Sequence, residues 1–219
     1  MSWLFMKKSV LIGIAIFAVL GIISLFFDSQ ISIFFQSLRS TMPDYFFMAF
    51  AFELQTILIL FILTSLFMFK EKKSRWILPL WAAAVFSLFV SYIIKIAFMR
   101  LRPFQEEIVI ALPIAREILG NGINLWNYSF PSFQAVLAFS ALPALDREFR
   151  KFKYFWLVLA SLIALSRVYF GVHYLSDIIF GAILGYLIGY FAVVIQDKYG
   201  RTIIVEESKN KKVKKKLKK

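Results

Sequence analysis

An all-α integral membrane bundle of six helices is the fold class this sequence predicts, on three observations. The 219-residue chain is 60% hydrophobic with a mean hydropathy of +0.74, against roughly 45–50% apolar in soluble domains. Its apolar residues gather into six stretches, most of them close to the roughly 20 residues a helix needs to cross hydrocarbon. None of the stretches alternates polar with apolar. They therefore read as helices, since lipid admits only helices and closed barrels.

The first stretch, Ser9–Phe27, follows Lys7 and Lys8. It is long for a signal peptide and lacks a small-x-small cleavage site before Asp28, so it reads as a retained anchor. The connection Asp28–Asp44 contains Ile31–Arg39, whose pattern predicts a short helix lying in the outer interface. The second stretch is Tyr45–Phe69 and holds Glu53, a carboxylate that is costly there unless paired or wet. Trp76–Phe98 is the third. A long connection from Met99 to Ser129 follows, with an amphipathic segment over Gln105–Leu119 and a turn at Asn121–Gly122. Glu106 and Glu107 within it read as solvated. The remaining stretches are Phe130–Leu145, Phe155–Phe170 and Tyr174–Ile195, of which the first two are short. Residues 1–197 thus form the membrane domain and 198–219 a basic tail expected to be disordered.

The net charge of +13 is uneven. Lys7 and Lys8, the Lys70–Arg75 link, the Arg147–Lys153 link and the tail hold 20 of the 26 Lys and Arg. All four segments fall on one side of a six-span layout, and the positive-inside rule makes that side cytoplasmic. Both termini are then cytoplasmic, in a multi-pass protein of the plasma membrane. A basic tail beside a bilayer sits on anionic lipid; no folded basic module accompanies it, so nucleic acid is not an expected partner. The chain has no cysteine and one histidine. That excludes disulfides and thiolate metal sites and argues against a zinc centre; no cofactor is expected.

Three segments at the outward ends carry the chemistry: Lys95-x6-Arg102-Pro103, then Pro131-Ser132-Phe133-Gln134, then Ser166-Arg167-x5-His173-x3-Asp177. Lys95 is expensive within an apolar helix and implies a partner or a wet pocket. Arg102 lies seven residues on, two turns away, so the two share a face if the helix continues to Pro103. Arg100 between them reads as a plain interfacial cation. Pro131 and Ser132 open the fourth helix, whose N-terminal N–H groups form an anion site to which Ser132 adds a hydroxyl. His173 and Asp177 are four apart and meet on one helical face, where a carboxylate can hold one imidazole nitrogen and leave the other nucleophilic. Singly these residues also read as snorkelling cations, an ordinary N-cap and a satisfied polar pair. Together, in this order and at one face, they read as a site that takes a phosphoryl group onto histidine.

With these motifs the chain resembles the type 2 phosphatidic acid phosphatase superfamily, which includes lipid phosphate phosphatases and undecaprenyl diphosphate phosphatases. The resemblance covers the six-span layout and is complete in the first and third motifs. It implies that Lys95, Arg102 and Arg167 bind phosphate and that Ser132 donates to it. It also implies that His173 is the nucleophile and forms a phosphohistidine, oriented by Asp177. The second motif departs. The family pattern is Pro-Ser-Gly-His; here Phe133 replaces the Gly and Gln134 the His that serves as general acid. Gln cannot hand over a proton, and general acid catalysis is worth about 10²–10⁴ in rate. A monoester leaving as an alkoxide needs that acid; a diphosphate leaving as a phosphate needs it less. The expectation is therefore a metal-independent membrane phosphatase acting on a lipid phosphate or diphosphate, such as a polyprenyl diphosphate. A catalytically impaired relative that binds lipid phosphates, and a phosphoryl transferase using the same site, remain alternatives.

Overall fold

A computed structural model of the chain describes residues 8–51, 64–65, 74–110 and 128–216. Among the described residues every regular element is helical. Helix α1 spans Lys8–Ser37, α2 Thr41–Ala51, α3 Ile77–Phe98, α4 Phe133–Glu148, α5 Lys153–Tyr169 and α6 Leu175–Lys216. Single 3₁₀ turns at Ser74–Trp76 and Arg150–Phe152 lead into α3 and α5. Glu53, most of the second apolar stretch, Lys70, Lys72, Lys73, residues 111–119 and the Asn121–Gly122 turn lie outside the described residues.

Among the described residues four helical segments are long and apolar enough to cross a bilayer: Val10–Ser37, Ile77–Phe98, Arg150–Tyr169 and Leu175–Lys198. This is a multi-pass membrane protein. Helix α4, at 16 residues, is about 24 Å long, short of the roughly 30 Å hydrocarbon core. It sits in the middle of the bundle, packed on α3, α5 and α6, with Ala135, Val136, Ala141, Ala144 and Leu145 buried. The outer faces of α1 and α3 present Phe17, Phe26, Leu78, Phe86 and Phe89. In lipid such side chains gain nothing by turning inward, so helix association rests on close van der Waals packing rather than on apolar burial.

That packing is closest between α4 and α6, and glycine permits it. Gly181, Gly185 and Gly189 form one stripe on α6. A Cβ at Gly185 would lie 2.1 Å from the Val136 carbonyl oxygen, and one at Gly189 2.0 Å from that of Ser140. The Gly-x3-Gly-x3-Gly spacing is the small-residue signature of close helix crossings in membranes. It seats α4 against α6 and so fixes the start of α4 beside the start of α6. At the opposite end of the bundle Trp76 donates to Glu148 (3.1 Å) and Arg147 pairs with Asp197 (2.6 Å), tying α3, α4 and α6 together.

Two expectations need correction. Ile31–Ser37 is not a separate interfacial helix. It continues α1, because no Gly or Pro interrupts the chain after Asp28 and the Asp28 side chain is engaged by other segments. Helix α3 does not carry Lys95 and Arg102 on one face. It ends at Phe98, where Met99 takes a left-handed conformation (φ 46°) and its N–H caps the Lys95 carbonyl. Helix α6 itself runs on past Lys198 to Lys216.

Candidate active site

The first-motif cations arrive from two directions. Lys95 occupies the last turn of α3, 1% exposed, and its Nζ donates to the carbonyls of Tyr128 and Ser129. Beyond the α3 cap the chain turns over Arg102–Ile108, where the N–H groups of Gln105 and Glu106 both reach the Arg102 carbonyl. The described part of the expected amphipathic segment, Gln105–Ile110, is thus a run of turns rather than helix. Arg102 is buried. Its Nη1 donates to the Val172 carbonyl at 2.9 Å and lies 3.3 Å from His173 Nε2.

His173 is presented by a turn that glycine makes possible. After α5 the N–H groups of Val172 and His173 bond back to the Arg167 carbonyl, and Gly171 adopts φ +69°. A Cβ on Gly171 would meet Val109 at 2.7 Å and Arg39 at 2.9 Å as well as straining the backbone. Arg39, from the end of α1, braces this turn by donating to the carbonyls of Tyr169 and Ile110.

The imidazole is 1% exposed and its two nitrogens face different surroundings. Nε2 faces Arg102, which only donates, so Nε2 presents its lone pair and the proton resides on Nδ1. Nδ1 lies 3.5 Å from Ser129 Oγ and 3.6 Å from Asp177 Oδ2. Burial, and after it the cations of Arg102, Lys95 and Arg167, hold the imidazole well below the usual histidine range, so it is neutral at pH 7. The lone pair of the neutral imidazole is thus turned toward the Arg102 cation.

Asp177, in the first turn of α6, is fully buried and saturated with donors. Its Oδ2 accepts from Ser129 Oγ and from the Tyr174 N–H (2.8 Å), and its Oδ1 from Arg100 Nη1 (2.8 Å). The direct His173–Asp177 hydrogen bond expected from the i,i+4 spacing is therefore long, because Ser129 and the backbone compete for the same oxygen. Ser132 is the N-cap of α4 and its N–H donates to the Asp177 carbonyl at 3.2 Å. The Ser132 hydroxyl is wholly buried and makes no hydrogen bond among the described residues. Gln134 is buried in the first turn of α4, and Arg167 in the last turn of α5, 7% exposed. The contacts thus join Lys95, Arg102, Ser132, His173 and Asp177 into one cluster, and Arg167 acts on it through charge and through its carbonyl.

Sequence reasoning missed three members. Arg100 is not a plain interfacial cation: it forms ion pairs with both Asp28 and Asp177 and lies 4.1 Å from the Tyr174 ring centroid. Asp28, 3% exposed near the middle of α1, accepts from Arg100 Nη2, from the Ser176 N–H and from the Ser176 hydroxyl. Ser129 bridges Asp177 and His173. Asp28 reads from sequence as the first residue of a connection, and no local signal marks its role. Glu106, read as solvated, is exposed yet accepts from the Tyr174 hydroxyl at 2.7 Å.

Comparisons with known proteins give a family and a fold. The model of the PAP2 superfamily matches residues 76–201, from the start of α3 into α6. The fold resembles the crystal structure of a transmembrane PAP2-type phosphatidylglycerolphosphate phosphatase from Bacillus subtilis. The TM-score is 0.60 at 20% identity, over 87% of this chain and 95% of that one. It also resembles LpxE of Aquifex aeolicus, with a TM-score of 0.56 at 24% identity over 75% and 93%. At these identities the likeness is one of fold. The bacitracin transport permease protein BcrC of Bacillus licheniformis is 41% identical over 63 residues, 29% of this chain. That match spans about a third of the length of the relative, 31%. The chain belongs to the PAP2 superfamily of membrane lipid phosphatases.

Proposed function

We propose that the protein removes a phosphate from a lipid diphosphate, of which a polyprenyl diphosphate is the best fit, through a phosphohistidine on His173. The observation that carries this reading is the pair of contacts at the imidazole: Nε2 opposite Arg102 and Nδ1 toward Ser129 and Asp177. Lys95, Arg102 and Arg167 bind the phosphate with the Ser132 hydroxyl and the N-terminus of α4. Preorganised donors of this kind offset the charge that develops in transfer.

In the first step the Nε2 lone pair forms a bond to the terminal phosphorus, and the bond from that phosphorus to the bridging oxygen breaks. The lipid monophosphate departs with the bonding electrons. The imidazole keeps its Nδ1 proton and becomes a phosphoimidazolium, whose positive charge is offset by Asp177. In the second step water attacks phosphorus, the P–N bond breaks, inorganic phosphate leaves with the water's protons and the neutral imidazole returns. Neither step requires a proton from Gln134. The leaving group is itself a phosphate, which suits a site with glutamine where the family pattern has histidine.

The site lies at the end of the bundle opposite Arg147, Arg150 and Lys153, so by the positive-inside argument it works on the extracytoplasmic face of a plasma membrane. The six-span count, with the second stretch as a full span, belongs to the same reading; Trp81 donating to Thr64 at 3.0 Å supports a segment of that stretch beside α3.

The test is phosphate release by detergent-purified protein from a polyprenyl diphosphate and from phosphatidic acid. The unaltered protein is expected to turn over the diphosphate, His173→Ala to abolish this, and Gln134→His to raise monoester turnover on the order of 10²-fold or more. Equal turnover of both substrates by the unaltered protein would remove the leaving-group argument. Release confined to Gln134→His would favour the binding relative.

A further inference from the structure

We propose that Arg100 and Asp28 are positioning residues that set the charge felt by His173. Asp28, on the first helix, holds Arg100 so that it takes up one oxygen of Asp177 and leaves the other to Ser129 and the Tyr174 N–H. The contacts are specific. Arg100 Nη2 meets Asp28 Oδ2 and Nη1 meets Asp177 Oδ1, each at 2.8 Å, and the same Nη1 reaches the Ser176 hydroxyl at 2.7 Å. Ser176 closes the loop by giving both its N–H and its hydroxyl to Asp28. One carboxylate on α1 therefore fixes both the guanidinium and the first turn of α6.

The arrangement has a chemical consequence. Asp177 is the counter-charge for an imidazolium formed when His173 is phosphorylated. A carboxylate fully compensated by a cation attracts that imidazolium less; one left uncompensated attracts it more. Asp28 tempers Arg100 in turn, so the carboxylate–guanidinium–carboxylate chain grades the field at His173. The other charged groups facing the imidazole are Lys95 from α3, Arg102 from the following turn and Arg167 from α5. Glu106 reaches the neighbourhood through the Tyr174 hydroxyl, and the first turn of α4 contributes no ionisable side chain.

The catalytic consequence deepens the phosphatase reading and rests on it, but the first test does not use activity. The chain has one histidine, so isotope-labelled histidine gives a single imidazole whose titration NMR follows directly in detergent micelles. Arg100→Met is expected to move the titration midpoint of His173 upward by about half a unit or more, and Asp28→Asn to leave it at or below that of the unaltered protein. Arg100→Lys, which keeps the charge, is expected to stay near the unaltered value. A loosened site that admits water would instead raise the midpoint in both Arg100→Met and Asp28→Asn; that outcome, or no upward shift in Arg100→Met down to about pH 4, overturns the proposal. In turnover of a polyprenyl diphosphate both variants are expected to lose about tenfold in kcat with KM unchanged, because neither residue lies among those assigned to the phosphate. A protein that titrates as expected yet releases no phosphate would refute the phosphatase reading and leave the charge relation standing.

Discussion

The glycine stripe of α6 makes a graded prediction about what holds the site together. A methyl group at Gly185 would lie 2.1 Å from the Val136 carbonyl oxygen, whereas carbon and oxygen rest at about 3.3 Å or more. Gly185→Ala therefore forces α4 and α6 apart by about 1.2 Å. Overpacking of this kind costs typically about 1–3 kcal/mol, or roughly 2–10 °C in unfolding temperature for a chain of this size. Gly189→Ala, at 2.0 Å from the Ser140 carbonyl, should match it, and Gly181→Ala, at 3.0 Å from the Ser132 carbonyl, should cost less. Gly13→Ala is the internal control. A Cβ there meets nothing within 4 Å, and the gain in helix propensity is up to about 1 kcal/mol. Thermal unfolding of the four purified variants, followed by intrinsic fluorescence in one detergent, should rank Gly13→Ala highest and Gly185→Ala and Gly189→Ala lowest. Because the displaced helix carries Ser132 and Gln134, turnover in Gly185→Ala should also fall, on the order of 10²-fold for a shift of about 1 Å. Equal unfolding temperatures for Gly13→Ala and Gly185→Ala would refute the close-crossing argument.

Arg102→Ala should weaken binding of inorganic phosphate or a lipid diphosphate by about ten- to a hundredfold, since charge-assisted hydrogen bonds are worth about 1.5–3 kcal/mol; isothermal titration reads this directly. The pH profile of kcat/KM should keep its acid limb below the ordinary histidine value of 6.5, because the free site holds His173 neutral well below it. Activity then persists as pH falls through 6.5 and is lost only at the lower folded-state value. Stability runs the same way: the unfolded chain gains a proton first, so the contribution of this group declines as pH falls from 6.5 toward the folded value. Tyr174→Phe should remove the hydrogen bond to Glu106 and lower stability by about 0.5–1.5 kcal/mol, measured by the same thermal unfolding.

The all-helical membrane class was legible because lipid imposes it: apolar runs of sufficient length, bounded by Lys and Arg, leave few alternatives. The three motifs were legible because their residue types are costly in a membrane unless they work together. What could not be read has a common cause. Asp28, Arg100 and Ser129 acquire their roles from partners 44 to 148 residues away, and nothing in local spacing marks a partner at that distance. Arg100 lay between two motif cations and was indistinguishable from a residue reaching for the interface. Lys95 and Arg102 were placed on one helical face because Pro103 suggested where α3 would stop, whereas the left-handed turn at Met99 stops it four residues earlier. The stripe of Gly181, Gly185 and Gly189 was in plain sight as a small-x3-small pattern. Its meaning depends on which helix covers it, and that helix is α4.

The central claim is a covalent bond between phosphorus and His173 Nε2. Incubating the purified protein with a polyprenyl diphosphate carrying radiolabel in its terminal phosphate, followed by an alkaline quench, tests it most directly. The account predicts protein-bound label that is stable to alkali, lost in acid, mapped to the one histidine and absent from His173→Ala. Phosphate release that continues in His173→Ala, or turnover with no label captured on the imidazole, would contradict it.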